Sequence, residues 1–592
     1  MPHPTKLSLK AFWEAVEKKL AAYSSDALRD ILRGMAQETP PAGRPTFLEK
    51  LTPMADTRAA ARQAMRQEKL LAEIDEVTRE IKARRKHAEE YDEWYDQDDY
   101  YDDYGGGHYD DEDGLGPYEE FIEPLSRLFD RAQAAFDYGK LKLARKAYEK
   151  LFAVLNLEDD YGRGISADDL EEVDIGEAHA RYLRAVYETE PSERRPQTLF
   201  EQMQKLVPYP TLNDLLQIST QPLPDYDQFL EDWIAFLRKQ KGKQADAGLR
   251  EAIRLARGTQ GLAELARTAG KKRPRAYLDW VAALEEEKKP HEVIAAAHAA
   301  LQALAPRQPL RAAIADHLCQ AAKELNDAEL LRAGRWEAFL VAPTLARLLD
   351  LWDAAPTPEV RAQLMQQAAE HVKDYLAHPP RESKTFEPFW EADNLEAPVW
   401  IDKSVLAHAH LLSGELEEAR QLAAREESLG WSYGDNPQGL VEAFLLVLLS
   451  GKSLDKLPSH LAQVWKSGLD YSIGFGEWGA EDKTEKSIRK RLEGAYDERL
   501  GATALSEKKQ AEFLDWCLDV ARQRVNAIVE GQHRQSYNKA AVLLGACAQA
   551  LRARGREQDA NTFVDEMRNR YPRHRAFQSE LNAVAPPRKA SK

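Results

Sequence analysis

At 592 residues the chain is too long for one compact core, so several domains or an extended array are expected. Charged residues make up 31% and aromatics 9%, and the rest is dominated by Ala, Leu, Glu, Arg and Gln, the strongest helix formers; with β-branched runs scarce, the composition predicts an all-α protein. Acidic residues number 99 against 82 basic ones, and the net charge of −17 argues against general affinity for nucleic acid.

The three cysteines, Cys319, Cys517 and Cys547, lie far apart in apolar helical stretches. That suits buried reduced thiols and supplies neither a disulfide framework nor a zinc site. The opening MPHPTKLSLKAFWEAVEKK has no continuous apolar run of the kind a signal peptide needs. The longest apolar run, Ala443 to Leu449, is too short to cross a bilayer. A cytoplasmic protein without membrane association is expected.

In chain order, Ser8 to about Met35 reads as two short amphipathic helices, with Ser8 and Ser25 as N-caps. PPAGRP (40–45) breaks the chain. From Thr57 to Glu90 a long charged helix is expected, with Leu70, Leu71, Ile74, Val77 and Ile81 forming an apolar stripe. The stripe suits a partner helix, a second copy, or docking on its own chain.

Residues 89–113 (EEYDEWYDQDDYYDDYGGGHYDDED) hold 13 acidic residues, six tyrosines and one tryptophan, with no Lys or Arg. Such a block cannot collapse into a core, so a disordered or solvated linker is expected. Its sharper reading is an acidic arm, with Tyr91, Trp94, Tyr95, Asp98, Asp99, Tyr100 and Tyr101 as the residues that would dock on a basic surface.

Helical hairpins are expected from Tyr118 onward. Ala135, Gly139, Ala144, Tyr148 and Leu151 follow the spacing small-x3-Gly-x4-Ala-x3-aromatic-x2-apolar. Two antiparallel helices joined by a short turn pack closely when small residues sit at their crossing. Gly139 can take the left-handed conformation that ends the first helix, and Tyr148 and Leu151 fill the groove toward the next pair. Looser copies appear at 283–301 with Lys288 at the turn, at 407–423 around Gly414, and at 551–567 around Gly555. The separations of the three glycines share no strict period, so the array is diverged. The six prolines between Pro191 and Pro224 predict a long irregular connection, and 378–400 reads as a linker pinned by Phe386, Phe389 and Trp390. Residues 453–512 look like an insertion, and Glu512 to Leu581 like three clean helices.

No catalytic motif emerges. GFGEWG (474–479) matches a dinucleotide-loop spacing, but VWKSGLDYSI before it is not a buried strand. His291 and Glu292 begin a zinc-helix pattern that fails at Ala295. His408 and His410 face different ways on a helix, and His371 and His378 have no carboxylate to complete a site. No metal or cofactor is expected. The remaining feature is basic: Arg552 to Lys592 carries ten Arg/Lys against five Asp/Glu, concentrated in RNRYPRHRAF. Arg568, Arg570, Arg573, His574 and Arg575, with Tyr571 and Phe577 interleaved, form a candidate basic patch for a phosphate backbone and stacked bases. The alternative is an ordinary helix end with paired arginines.

The turn and second helix around Gly139 resemble the tetratricopeptide repeat, although the family's Trp-x2-Leu-Gly start is missing. ARYLRAVYETEPSERR (180–195), and the stretch from GQHRQSYNKAAVLLGACAQALRARG through RYPRHRAFQSEL (531–581), also resemble the helical region of bacterial SWIM zinc finger proteins. The Cys-x-Cys…Cys-x-His element of that finger is absent here. These resemblances imply a bacterial helical-repeat accessory protein. The expected fold is therefore an all-α, diverged TPR-like helical-hairpin solenoid with an N-terminal helical region. Its expected divisions are N-terminal helices (1–88), an acidic Tyr-rich linker (89–117), a first repeat region (118–377), a Pro/aromatic linker (378–400) and a second repeat region (401–592). The expected role is a non-enzymatic scaffold with a protein partner, and the alternative is a nucleic-acid-associated factor using the basic C-terminal stretch.

Overall fold

The structure is a computed structural model that describes residues 8–38, 47, 69–85, 116–157, 164–379, 399–424, 427–432, 435–473 and 483–586. The acidic segment 89–113, the glycine loop 474–479 and the three linker aromatics Phe386, Phe389 and Trp390 lie outside the described residues. Among those described, α-helices and short 3-10 turns account for the regular structure, with no β-strand. The protein is an all-α assembly of helices packed on their chain neighbours, as composition predicts. The chain divides into two compact units, Met1–Leu262 and Ala263–Lys592.

The first unit opens with α1 (Leu9–Ala22) and α2 (Ser25–Glu38). Ser8 caps α1, its hydroxyl accepting from the Ala11 amide at 3.3 Å. For α2 the cap is Ser24 rather than Ser25: the Ser24 hydroxyl accepts from the Ala27 amide at 3.3 Å. Helix α3 (69–85) docks on its own chain. Leu70, Ile74 and Ile81 are buried, and Glu73 and Asp75 pair with Arg131 and Lys150 of the next hairpin. That hairpin is α4 (Ile122–Asp137) and α5 (Leu141–Leu155), followed by α6 (Ile175–Thr189) packed on α5. Ala135 and Ala144 are fully buried at the crossing, and Tyr148 and Leu151 fill the groove beside them.

The proline-rich stretch is more ordered than its composition suggests. It contains α7 (Arg195–Met203) and α8 (Leu212–Gln217). Pro196 sits in the first turn of α7, where the missing N–H costs nothing. The Thr211 capping box starts α8, and Glu251 accepts from the Leu212 and Asn213 amides at 3.0 and 2.8 Å. Then come α9 (Tyr226–Leu237) and α10 (Lys243–Ala269), which kinks at Gly258 and whose last residues, from Ala263, are counted in the second unit.

The second unit begins with a sequential stack: α11 (Arg275–Glu286), α12 (Pro290–Ala303), α13 (Leu310–Glu324), α14 (Ala328–Val341), α15 (Leu345–Ala354) and α16 (Pro358–Ala377), each packed on the one before it. After α17 (Lys403–Ser413) and α18 (Leu416–Ala423) the pattern changes. Helix α19 (Gln438–Ser450) is buried at twelve of its 13 residues and is enclosed by α17, α18, α20 (Ser459–Ile473), α22 (Glu507–Glu530) and α23 (Tyr537–Ala553). A helix apolar on all sides belongs at the centre of a bundle rather than on a face of an array. Between α20 and α22, α21 (Lys483–Ala502) packs back on α15 and α17, with Arg491 on Asp350 and Arg361 paired with Glu498. The described parts of this stretch, 453–473 and 483–512, thus pack on the core rather than forming an insertion. The C-terminal run holds four helices instead of three: α22, α23, α24 (Glu557–Arg570) and α25 (Arg575–Val584).

The turn geometry unites these hairpins. Gly139, Lys288, Gly414 and Gly555 all have positive φ, from +57° to +89°. After each one the next amide reaches back five residues, from Lys140 to the Ala135 carbonyl at 2.9 Å, Lys289 to Leu284 at 3.1 Å, Glu415 to His410 at 2.9 Å and Arg556 to Leu551 at 3.0 Å. This closure satisfies carbonyls that a helix end leaves open. Asn326 and Gln532, also at positive φ, close α13 and α22 in the same way.

Candidate functional site

The strongest candidate lies wholly in the second unit, in a cleft where α20 and α23 face the loop before α19. Loop residues are fixed from below. The Asn436 side chain donates to the Leu429 carbonyl at 2.9 Å, and the Trp431 indole N–H donates to the buried Gln438 side-chain oxygen at 3.0 Å. Trp431 is thereby held with one face toward α22. The Arg524 guanidinium from α22 stands over that face, 3.9 Å from the ring centroid, and its Nη1 donates to the Ser428 carbonyl at 2.9 Å. Burial pushes the Arg524 pKa down to about 10, which leaves it charged at neutral pH.

Across the cleft, Lys539 of α23 donates from Nζ to the Tyr471 hydroxyl of α20 at 3.2 Å. Val464, Val542 and Leu543 form apolar walls, and the open volume is about 70 Å³. Glycines at the α19–α20 crossing keep the floor low: a Cβ on Gly468 would meet the Gly439 carbonyl oxygen at 3.0 Å, and one on Gly439 would meet the Trp431 ring at 2.9 Å. Among the described residues no carboxylate pairs with Arg524 or Lys539.

Beneath this cleft the centre of the bundle holds unusual polar groups. Glu442 of α19 is fully buried, and neither carboxylate oxygen has a hydrogen-bond partner among the described residues. Burial, which disfavours the charged form, raises its pKa well above the usual carboxylate range despite the attraction of Arg524. Burial raises the Cys517 and Cys547 thiols as well, and both lie near Glu442. All three cysteines are free and buried. Nearby, His408 Nδ1 and the Tyr496 hydroxyl lie 2.6 Å apart, and burial pushes the His408 pKa down to about 3. These groups sit inside a packed core without access for a substrate.

Of the other histidines weighed in the sequence, His410 pairs with Glu415 and His371 Nε2 lies 2.9 Å from the Leu340 carbonyl oxygen. His378 is exposed and, contrary to the sequence reading, has a carboxylate beside it, Asp374 at 3.0 Å. Among the described residues no group of three His, Cys, Asp or Glu side chains is placed to hold a metal, and no helix is long and apolar enough to cross a membrane.

The candidate basic patch is only partly open. Arg568 pairs with Asp565 and donates to the Ala585 carbonyl at 2.5 Å, and Arg570 pairs with Glu530 at 3.4 Å. Arg573 and Arg575 are exposed and have no carboxylate partner among the described residues, and His574 packs its ring on Tyr571. Tyr571 and Phe577, expected to stack on bases, are buried against each other instead, so neither ring is available to a ligand.

A second surface belongs to the first unit. Helix α1 has no buried residue. Phe12, Trp13, Leu20 and Tyr23 of the α1 segment, and Ile31, Leu32 and Met35 of α2, are each between 41% and 52% exposed. The sequence marks these helices as amphipathic but gives no sign that so many of their apolar side chains are exposed.

No family model and no curated protein matches this chain. Among solved structures it is similar to a "Circular tandem repeat protein with novel repeat topology and enhanced subunit contact surfaces", at 13% identity over 88% of this chain and 96% of that one, with a TM-score of 0.14. That score is too low to indicate a common arrangement, and the helical-repeat fold rests on the packing described above.

Proposed function

We propose that this protein is a non-enzymatic helical-repeat scaffold, of the diverged tetratricopeptide-like kind, that mediates protein–protein interaction in the bacterial cytoplasm. The observation that carries the reading is the apolar surface of α1 and α2. A helical pair with seven large apolar side chains each at least 41% exposed gains little from its own fold. Burying that surface against an apolar helix face of another protein supplies the missing stabilisation, at roughly 25 cal/mol per Å². The helical-hairpin architecture supports the same reading, because stacked hairpins present extended surfaces rather than enclosed reaction chambers.

The test is capture from the native host with the full chain and with a variant carrying Phe12→Ser, Trp13→Ser, Ile31→Ser and Leu32→Ser. A specific partner should be retained by the wild type and lost at least tenfold by the variant. Equal recovery of the same proteins rejects the reading.

A further inference from the structure

We propose that the Trp431–Arg524–Lys539 cleft is a binding site for a small organic anion, a carboxylate or phosphate monoester carried on an apolar body. This goes beyond the scaffold reading, which concerns the other unit. Three independent features point to it.

The first is charge. In a chain with 99 acidic residues, two cations line one cleft without a carboxylate partner among the described residues. Arg347 and Arg491 of this unit, by contrast, are paired with Asp316 and Asp350. Arg524 is anchored by Nη1 alone, so its remaining N–H groups are free to form the two-pronged contact that a carboxylate or phosphate accepts.

The second is Glu442. It is the carboxylate whose attraction Arg524 feels, yet it is fully buried, neither oxygen has a hydrogen-bond partner among the described residues, and burial raises its pKa well above the usual carboxylate range. A carboxylate whose charged form burial disfavours is a poor counter-ion, so an incoming anion at the cleft would stabilise the Arg524 charge.

The third is shape. An open volume of about 70 Å³ corresponds to a handful of water-sized positions, enough for a carboxylate or phosphoryl group with a few carbon atoms. The lining also includes the side chains of Val464, Val542 and Leu543, which reject a fully hydrated ion and favour a ligand with an apolar end. Trp431 holds the Arg524 guanidinium by its ring face, 3.9 Å from the ring centroid, and the Tyr471 hydroxyl accepts from Lys539 Nζ at 3.2 Å, so both cations are positioned before the ligand arrives.

The experiment is ligand-observed NMR and calorimetry on the full chain with three probes: hexanoate, phenyl phosphate and, as the neutral control, 1-hexanol. Binding of hexanoate or phenyl phosphate with at least tenfold preference over hexanol is expected, and the stronger of the two anions identifies the source chemistry. Lys539→Gln changes an exposed side chain and should weaken the preferred anion about tenfold without lowering the melting temperature. Val542→Phe, which fills the cleft and leaves both cations, should abolish binding. Absence of binding by both anions, equal binding of hexanol, or unchanged affinity in both variants would overturn the proposal.

Discussion

The Arg524 guanidinium stands 3.9 Å above the Trp431 ring and ties the loop before α19 to α22 through the Ser428 carbonyl. One side chain thus does two jobs: it closes a loop onto the bundle and places a positive charge at the rim of a cleft. Arg524→Lys keeps the charge but loses the planar stack and the fixed fork. We expect that substitution to lower stability by about 1–2 kcal/mol in denaturant titrations, and Arg524→Met to cost at least as much.

Glu442 should destabilise the folded protein at neutral pH. Its folded pKa is raised above the unfolded value, so its contribution is fully present below about pH 4.5 and is lost as pH rises toward the folded value. Glu442→Met, similar in volume and apolar, removes the loss. Unfolding at pH 8 should show a gain on the order of 1–3 kcal/mol, and no gain at pH 4.

His408 acts in the opposite direction. Its pKa falls to about 3 in the fold, so the unfolded chain takes up the proton first and stability drops as pH falls below about 6.5. Between pH 6.5 and 5 the loss should be about 2 kcal/mol. His408→Gln can still bond the Tyr496 hydroxyl but cannot titrate, and it should flatten the stability profile over that interval.

The repeat turns separate two costs of adding a side chain. At Gly139, with φ of +70° and open space around it, Gly139→Ala should cost about 1 kcal/mol for the left-handed backbone alone. At Gly414, with φ of +89°, a new Cβ would also collide with the Arg499 guanidinium, which is itself partly buried. Gly414→Ala should therefore cost more than Gly139→Ala in matched chemical-unfolding experiments.

These turns also mark how far the sequence is legible. Gly139, Gly414, Gly555 and Lys288 can be picked out because an apolar residue stands five positions after each (Ala144, Ala419, Ala560 and Val293) and another nine positions after, aromatic only at Tyr148, and each forms the same backbone closure. Asn326 and Gln532 make that closure without a glycine, so no composition signal marks them. The apolar run Ala443 to Leu449 is visible as a run, but its place at the centre of a bundle depends not only on its neighbours α17, α18 and α20 but on α22 and α23, which come from a later part of the sequence. The cleft is hidden for the same reason. Trp431, Tyr471, Arg524 and Lys539 are far apart in the chain and share no spacing rule. The basic run at 568–577 is legible as charge, but only packing reveals that Tyr571 and Phe577 face inward and that Arg568 and Arg570 are paired.

The nucleic-acid alternative makes its own prediction. If Arg573 and Arg575 engage a phosphate backbone, retention on DNA or RNA at about 50 mM salt should fall sharply when both are replaced by Glu. The scaffold account expects no salt-dependent retention of the wild type.

The most direct measurement of the central claim is amide hydrogen exchange across residues 9–38 of the full chain, alone and saturated with the partner recovered from its host. Slowed exchange in α1 and α2, absent in the variant with Phe12, Trp13, Ile31 and Leu32 changed to Ser, is the predicted result. Exchange in α1 and α2 that stays the same when the partner is bound would contradict it.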